Sequence, residues 1–217
     1  MIGFTLEEAF ERVGMPLIVQ EIIKECYEQP HRHYHTLNHL REILRWLPKE
    51  HPEAEIAIEA ILFHDIVHYP TPVAPGLNEA LSIAEYLLYN TKALAVNTPF
   101  ANNKSINFEF ERRVIETINA TSRHTEDQQY LCDVAKLVLD LDLSTFALPW
   151  EDYVQWKKLV EIENEVMWLD KYPVAAIRKG RCLFLKSLLQ RKRLFYIKTE
   201  WEDQARANLQ KDIHTYG

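Results

Sequence analysis

The residues able to do chemistry start at Phe63-His64-Asp65-Ile66-Val67-His68. His64 and Asp65 close an apolar run from Ile56 to Val67 in which Glu59 is the only earlier charge. An unpaired charge buried at such a place is costly. A divalent cation removes that cost by turning the carboxylate and the imidazole into ligands. Consecutive side chains on a helix diverge by about 100 degrees. One ion shared by His64 and Asp65 must therefore sit between their directions, near the helix end. His68 stands four residues after His64.

Four of the nine histidines, His31, His33, His35 and His39, precede this run closely. His35 and His39 are spaced i, i+4, which on a helix puts both imidazoles on one face. Either could be a first metal ligand. Asp140 and Asp142 flank Leu141 in the apolar stretch Val134 to Phe146. Either could present a carboxylate from another helix, or both could cap a helix end in solvent. Histidine and carboxylate without thiolate suit a hard or borderline divalent cation: manganese, magnesium, iron, nickel or zinc, as one ion or two. Two His and two Asp with open positions point to catalysis, since structural zinc sites are closed and rich in thiolate. Cys26, Cys132 and Cys182 are far apart and odd in number, so free thiols are expected.

The elements that must position these groups read as helices. Thr5 with Glu8 forms a capping-box pattern ahead of Leu6, Ala9, Phe10 and Val13. Gly14-Met15-Pro16 breaks that helix, and a second is expected over Leu17 to Tyr27. A third runs from Thr36 with Leu37, Leu40, Ile43, Leu44 and Leu47. The apolar helix ending in the His-Asp pair follows, then a loop from Tyr69 to Leu77 with three prolines. Asn78 is expected to cap a helix reaching about Asn90. The polar segment Asn97 to Asn107 reads as irregular. Helices are then expected at Phe108 to Ser122, Asp127 to Leu139, Pro149 to Asp170, Val174 to Gln190 and Trp201 to His214. Leu194 to Ile197 fits a short extended piece.

With 217 residues, 47% hydrophobic and 26% charged, the chain can bury a real core as one domain over 1–217. Only five glycines leave little room for phosphate-cradling loops, which favours an all-α fold of eight to ten helices. A net charge of -7 argues against a general nucleic-acid surface. The first residues lack the pattern of a signal peptide, and no run is long enough to span a membrane, so a cytoplasmic protein is expected. Arg178, Lys179 and Arg181, with Arg191-Lys192-Arg193, make the last third locally basic, mostly as a solvated face. The tryptophans Trp46, Trp150, Trp156, Trp168 and Trp201 read as core or interface, not as a stacking platform.

The order His…His-Asp…Asp, each on its own helix, resembles the HD superfamily of metal-dependent phosphohydrolases. Tyr34-His35-Thr36-Leu37-Asn38-His39 is similar to the Tyr-His-Asn-x-x-His motif of cyclic-nucleotide phosphodiesterases, with Thr36 where that motif has asparagine. His64-Asp65-Ile66-Val67-His68 is similar to their His-Asp-x-x-His. Over nearly its full length the chain resembles a group of small bacterial predicted HD phosphohydrolases, through Asn78-Glu79-Ala80-Leu81-Ser82, Asp140-Leu141-Asp142-Leu143-Ser144 and Ala205-Arg206-Ala207-Asn208-Leu209.

The resemblance implies an HD-type helical bundle in which His39, His64, Asp65 and Asp142 hold metal. It implies His35 as the acid that protonates a leaving oxygen, and places His68 near a second metal. The expected reaction is hydrolysis of a phosphoester by a metal-activated water, with Asp65 able to bridge two ions. Arg32, Asn78, Glu79 and His124 are candidate contacts to an anionic substrate. The partner expected is a small phosphorylated molecule such as a nucleotide. No membrane and no stable nucleic-acid partner are expected, and a homodimer is compatible with the pattern. The competing reading is a metal-containing nucleotide-binding regulator without turnover. A di-iron oxygenase is more distant, since it needs more ligands than these.

Overall fold

The fold is built around a helix that is apolar on every face. This helix, Ala54–Phe63, buries nine of its ten residues, and its one buried charge, Glu59, accepts a hydrogen bond from the Tyr86 hydroxyl at 2.9 Å. A helix without a polar face must be surrounded. The computed structural model describes residues 3–69, 76–95 (backbone only for 91–95) and 107–216. Among them are ten α-helices and no strand.

Helix α1 (Leu6–Arg12) opens on the capping box. Thr5 accepts the Glu8 amide at 3.1 Å, and Glu8 accepts that of Thr5 at 2.9 Å. Gly14, at φ 62, turns the chain into α2 (Leu17–Tyr27). Thr36 caps α3 (Leu37–Trp46), and the apolar helix is α4. Then come α5 (Leu77–Ala95), α6 (Phe108–Thr121) and α7 (Asp133–Asp142). Helices α3, α5, α6 and α7 pack around α4 and enclose one hydrophobic cluster.

A 3-10 turn at Ser144–Ala147 leads to α8 (Trp150–Trp168), α9 (Val174–Gln190) and α10 (Glu202–His214). Leu143, Phe146, Tyr153, Leu185, Leu188, Phe195 and Leu209 form the second cluster, with α10 against both the 3-10 turn and α9. The result is an all-α single domain, as the composition and periodicity require. Among the described residues no helix is long and apolar enough to cross a membrane.

Several boundaries differ from those read in the sequence. Helix α4 ends at Phe63, so His64 is its C-cap and Asp65 lies beyond it. Helix α5 begins at Leu77, which puts Asn78 inside the first turn instead of at the cap. Helix α7 starts at Asp133, later than expected, because Gln128 holds the preceding residues in turns. Its amide donates to the carbonyls of Ala120 and Arg123, both at 3.0 Å. Residues 97–106, expected to be irregular, and 70–75 of the proline loop lie outside the described residues.

The expected extended piece at Leu194 to Ile197 is irregular, and a buried carboxylate explains its shape. Asp140 accepts the backbone N–H groups of Tyr196, Ile197 and Lys198 at 2.9, 2.6 and 2.7 Å. Burial pushes its pKa up to about 6, against the pull of those three donors. Asp140 is thus a structural anchor between α7 and the segment leading to α10. Replacing it with alanine strands three amides, at a cost of about 3 kcal/mol. We expect Asp140→Ala to lower Tm by roughly 10 °C. A calorimetric Tm equal to the parent's would contradict this role.

Candidate metal centre

Three side chains from three helix ends meet at one point. His39 comes from the first turn of α3, His64 from the C-cap of α4, and Asp142 from the last residue of α7. One ligand atom from each lies within 4.8 Å of the others. His39 Nε2 is 3.1 Å from Asp142 Oδ1, and His64 Nε2 is 3.6 Å from the same oxygen. Asp65 Oδ2 is 3.0 Å from His64 Nε2, and His124 Nε2 is 2.7 Å from Asp142 Oδ2.

The tautomer of His64 follows from its neighbours. Its Nδ1 is 2.8 Å from the Ile61 carbonyl oxygen, which can only accept, so the proton sits on Nδ1. The Nε2 lone pair then faces Asp65 and Asp142, and this buried atom makes no hydrogen bond. A lone pair pressed against two carboxylates needs a cation between them. The donor set and this orphaned nitrogen therefore fit a divalent metal ion.

The electrostatics agree. Burial opposes charge on His64, yet Asp65 and Asp142 outweigh it and raise its pKa well above the usual value. A proton and a divalent cation compete for that same lone pair. Burial alone would raise Asp142, but His64, His124 and His39 hold it well below the carboxylate range. Burial lowers the pKa of His39, which keeps it neutral and able to ligate.

A second group adjoins the first. His35, His68 and Glu163 also bring one ligand atom each within 4.8 Å of one another. Glu163 Oε1 is 2.5 Å from His35 Nδ1 and 3.2 Å from His68 Nε2. Its other oxygen accepts the backbone N–H groups of His33, Tyr34 and His35 at 2.8, 2.9 and 3.1 Å. Burial acts against the charge on Glu163, but His35 and His68 hold its pKa far below normal. Asp65 lies between the groups, with Oδ2 3.7 Å from His35 Nε2. Two His-rich carboxylate groups can thus each hold an ion.

The expected site residues separate into clear places. His39, His64, Asp65 and Asp142 converge, and His35 and His68 form the neighbouring group. His35 precedes α3 and so does not share a helical face with His39, although their rings stand 5.6 Å apart. Asp142 lies in the centre, whereas Asp140 faces the 196–198 backbone. His124 pairs with Asp142 and lines the adjoining cavity.

Arg32, expected to meet substrate, is committed elsewhere. It is 5% exposed and donates to the carbonyls of His35, Asp65 and Ile66 at 3.3, 2.7 and 2.9 Å. Those carbonyls point at the guanidinium because the chain bends around it, so Arg32 ties the two His-bearing loops together. Asn78 accepts the Tyr69 amide at 3.3 Å. Glu79 is half-buried; burial raises its pKa, and the charge of Asp65 adds to the shift.

Glu163 was missed by the sequence reading. It stands among the acids Glu161 and Glu165, but only Glu163 falls on the inward stripe of α8 with Tyr153, Trp156, Val160 and Met167. A charge on an apolar stripe was the available signal. Trp156 and Trp168, which read as core or interface in the sequence, line a cavity of about 750 Å³ that opens beside Asp142 and His124. Arg181 lines it too, so it is not part of a solvated basic face, and Arg191 is buried with a bond to the His124 carbonyl.

With this geometry in view, the chain matches no protein-family model and no curated protein. We expect Asp142→Ala to lose bound manganese while Asp140→Ala retains it, read by elemental analysis of dialysed protein. The reverse result would make Asp140 the ligand.

Proposed function

We propose that the protein is a metal-dependent phosphohydrolase of the HD type, acting on a small phosphoester. The observation that carries this reading is the convergence of His39, His64 and Asp142, with Asp65 alongside, where Asp142 also lines a 750 Å³ cavity. Ligands grouped at a cavity leave a side open to substrate, as a catalytic centre needs. The ordered His…His-Asp…Asp pattern supports the same reading.

A bound divalent cation would supply Lewis-acid polarisation of a phosphoryl oxygen and a water of lowered pKa. The protein's own groups do the rest. The Ile61 carbonyl holds His64 in the ligating tautomer. His124 and His39 orient the Asp142 carboxylate. Glu163 grips His35 at Nδ1 and directs its Nε2 toward Asp65. Burial opposes charge on His35, but Glu163 and Asp65 outweigh it and raise the pKa of the ring. A protonated Nε2 there can donate to the leaving oxygen of an ester. Arg32 keeps the His35 loop and the Asp65 turn in register through their carbonyls.

The test is hydrolysis of bis(p-nitrophenyl) phosphate and p-nitrophenyl phosphate with added manganese. We expect slow turnover, and a loss of at least about 100-fold in Asp65→Ala. No turnover with any divalent metal, or an Asp65→Ala protein as active as the parent, would sink this proposal and leave the regulatory reading.

A further inference from the structure

The cavity beside Asp142 is larger than a phosphoryl group needs, and its walls are unlike the metal end. One end carries His35, His124 and Asp142. The remainder runs between α8 and α9, walled by Phe146, Trp156, Trp168, Tyr172 and Phe184. We infer that this space is the specificity pocket of the proposed hydrolase. It would receive a planar ring system bearing hydrogen-bond acceptors on the alcohol part of the ester. The inference rests on the phosphohydrolase reading for which end the phosphate enters.

Three kinds of alcohol part can be weighed against the walls. A polyol would give up its hydration against aromatic surface with little in return. A plain hydrocarbon would suit the surface but not Arg181. That guanidinium lines the cavity and lies 5.7 and 5.5 Å from the Phe146 and Phe184 ring centres. A hydrocarbon would cover this charge while offering it no acceptor. A planar ring with acceptor atoms stacks on the aromatic walls and meets Arg181 at once. The other wall cation, Lys157, is already paired with Asp212 and Thr215.

Gly180 shows how the space is kept. It lies inside α9 and lines the cavity. A Cβ built on it meets nothing within 4 Å, so packing does not require a glycine there. A mid-helix glycine costs helix stability relative to alanine. What it leaves is room, and it acts as the size gate of the pocket, with Arg181 as the polar anchor.

The test is calorimetric titration of manganese-loaded protein with four phosphonates, whose carbon–phosphorus bond resists hydrolysis. These are an acyclic adenine phosphonate, a naphthylphosphonate, hexylphosphonate and hydroxypropylphosphonate. Both ring compounds should bind at least about tenfold tighter than the other two. The adenine compound should bind tighter than the naphthyl one, and the reverse order would overturn the requirement for acceptor atoms. Gly180→Phe should abolish the ring preference while keeping its manganese. Arg181→Met should weaken the adenine compound more than the naphthyl one.

Equal affinities across the series, or a ring preference unchanged in Gly180→Phe, would overturn the inference. Should Gly180→Phe fail to fold, the series on the unaltered protein decides. Ring preference without hydrolysis of any ester would sink the hydrolase reading alone. Hydrolysis without ring preference would sink the pocket alone.

Discussion

Asp142 is enclosed by His39, His64 and His124, and this contact ties together α3, the end of α4, the turn after α6 and the end of α7. A carboxylate buried among apolar helices without partners would cost several kcal/mol, of the order found when one member of a buried pair is removed. Three imidazoles meet that cost only in part, since His64 Nε2 faces the carboxylates without a hydrogen bond. The fold therefore holds four groups at close range with a deficit of positive charge between them. Each of the four is set at or beyond a helix terminus, where the backbone can bend to aim a side chain.

Glu163 performs the matching task for the histidine-rich loop. That loop has no regular structure of its own between α2 and α3, and three of its amides end on one carboxylate oxygen of α8. Arg32 holds the same loop from the other side by its carbonyl groups. The loop is thus fixed by two charged side chains whose charges are used up in holding it. His35 is aimed as a result, with Nδ1 occupied and Nε2 left toward Asp65. Helix α8 serves both ends of the site, because its inward stripe carries Glu163 on one turn and the cavity residues Trp156 and Val160 on the turns before it.

Much of the fold was legible in the chain. The capping box at Thr5 and Glu8, the break at Gly14, and the span Leu17–Tyr27 follow from local chemistry that tertiary contacts do not override. The ordered histidines and aspartates pointed to the candidate metal centre because those residue types are costly in an apolar setting. Before α7 the departure has a near cause, since Gln128 holds the chain in turns through the carbonyls of Ala120 and Arg123, eight and five residues earlier. Farther along, a distant residue is responsible. The segment after Leu194 takes its shape from Asp140, more than fifty residues earlier, and so cannot be a strand.

At the His64-Asp65 pair the division is clear. Sequence alone determined that a histidine and a carboxylate stand at the end of a helix with no polar face, and that two further sets of candidate ligands flank it. Those facts depend on residue type and on spacing within a single helix. Only the tertiary structure decided between Asp140 and Asp142, which differ by two positions and hence by opposite directions on α7: one meets backbone amides, the other three imidazoles. It also decided that Arg32 is spent on carbonyls, that Glu163 and not Glu161 or Glu165 faces the histidines, and that two tryptophans wall a cavity. Each of these depends on which way a side chain turns relative to a helix far away in sequence, and spacing along the chain carries no record of that.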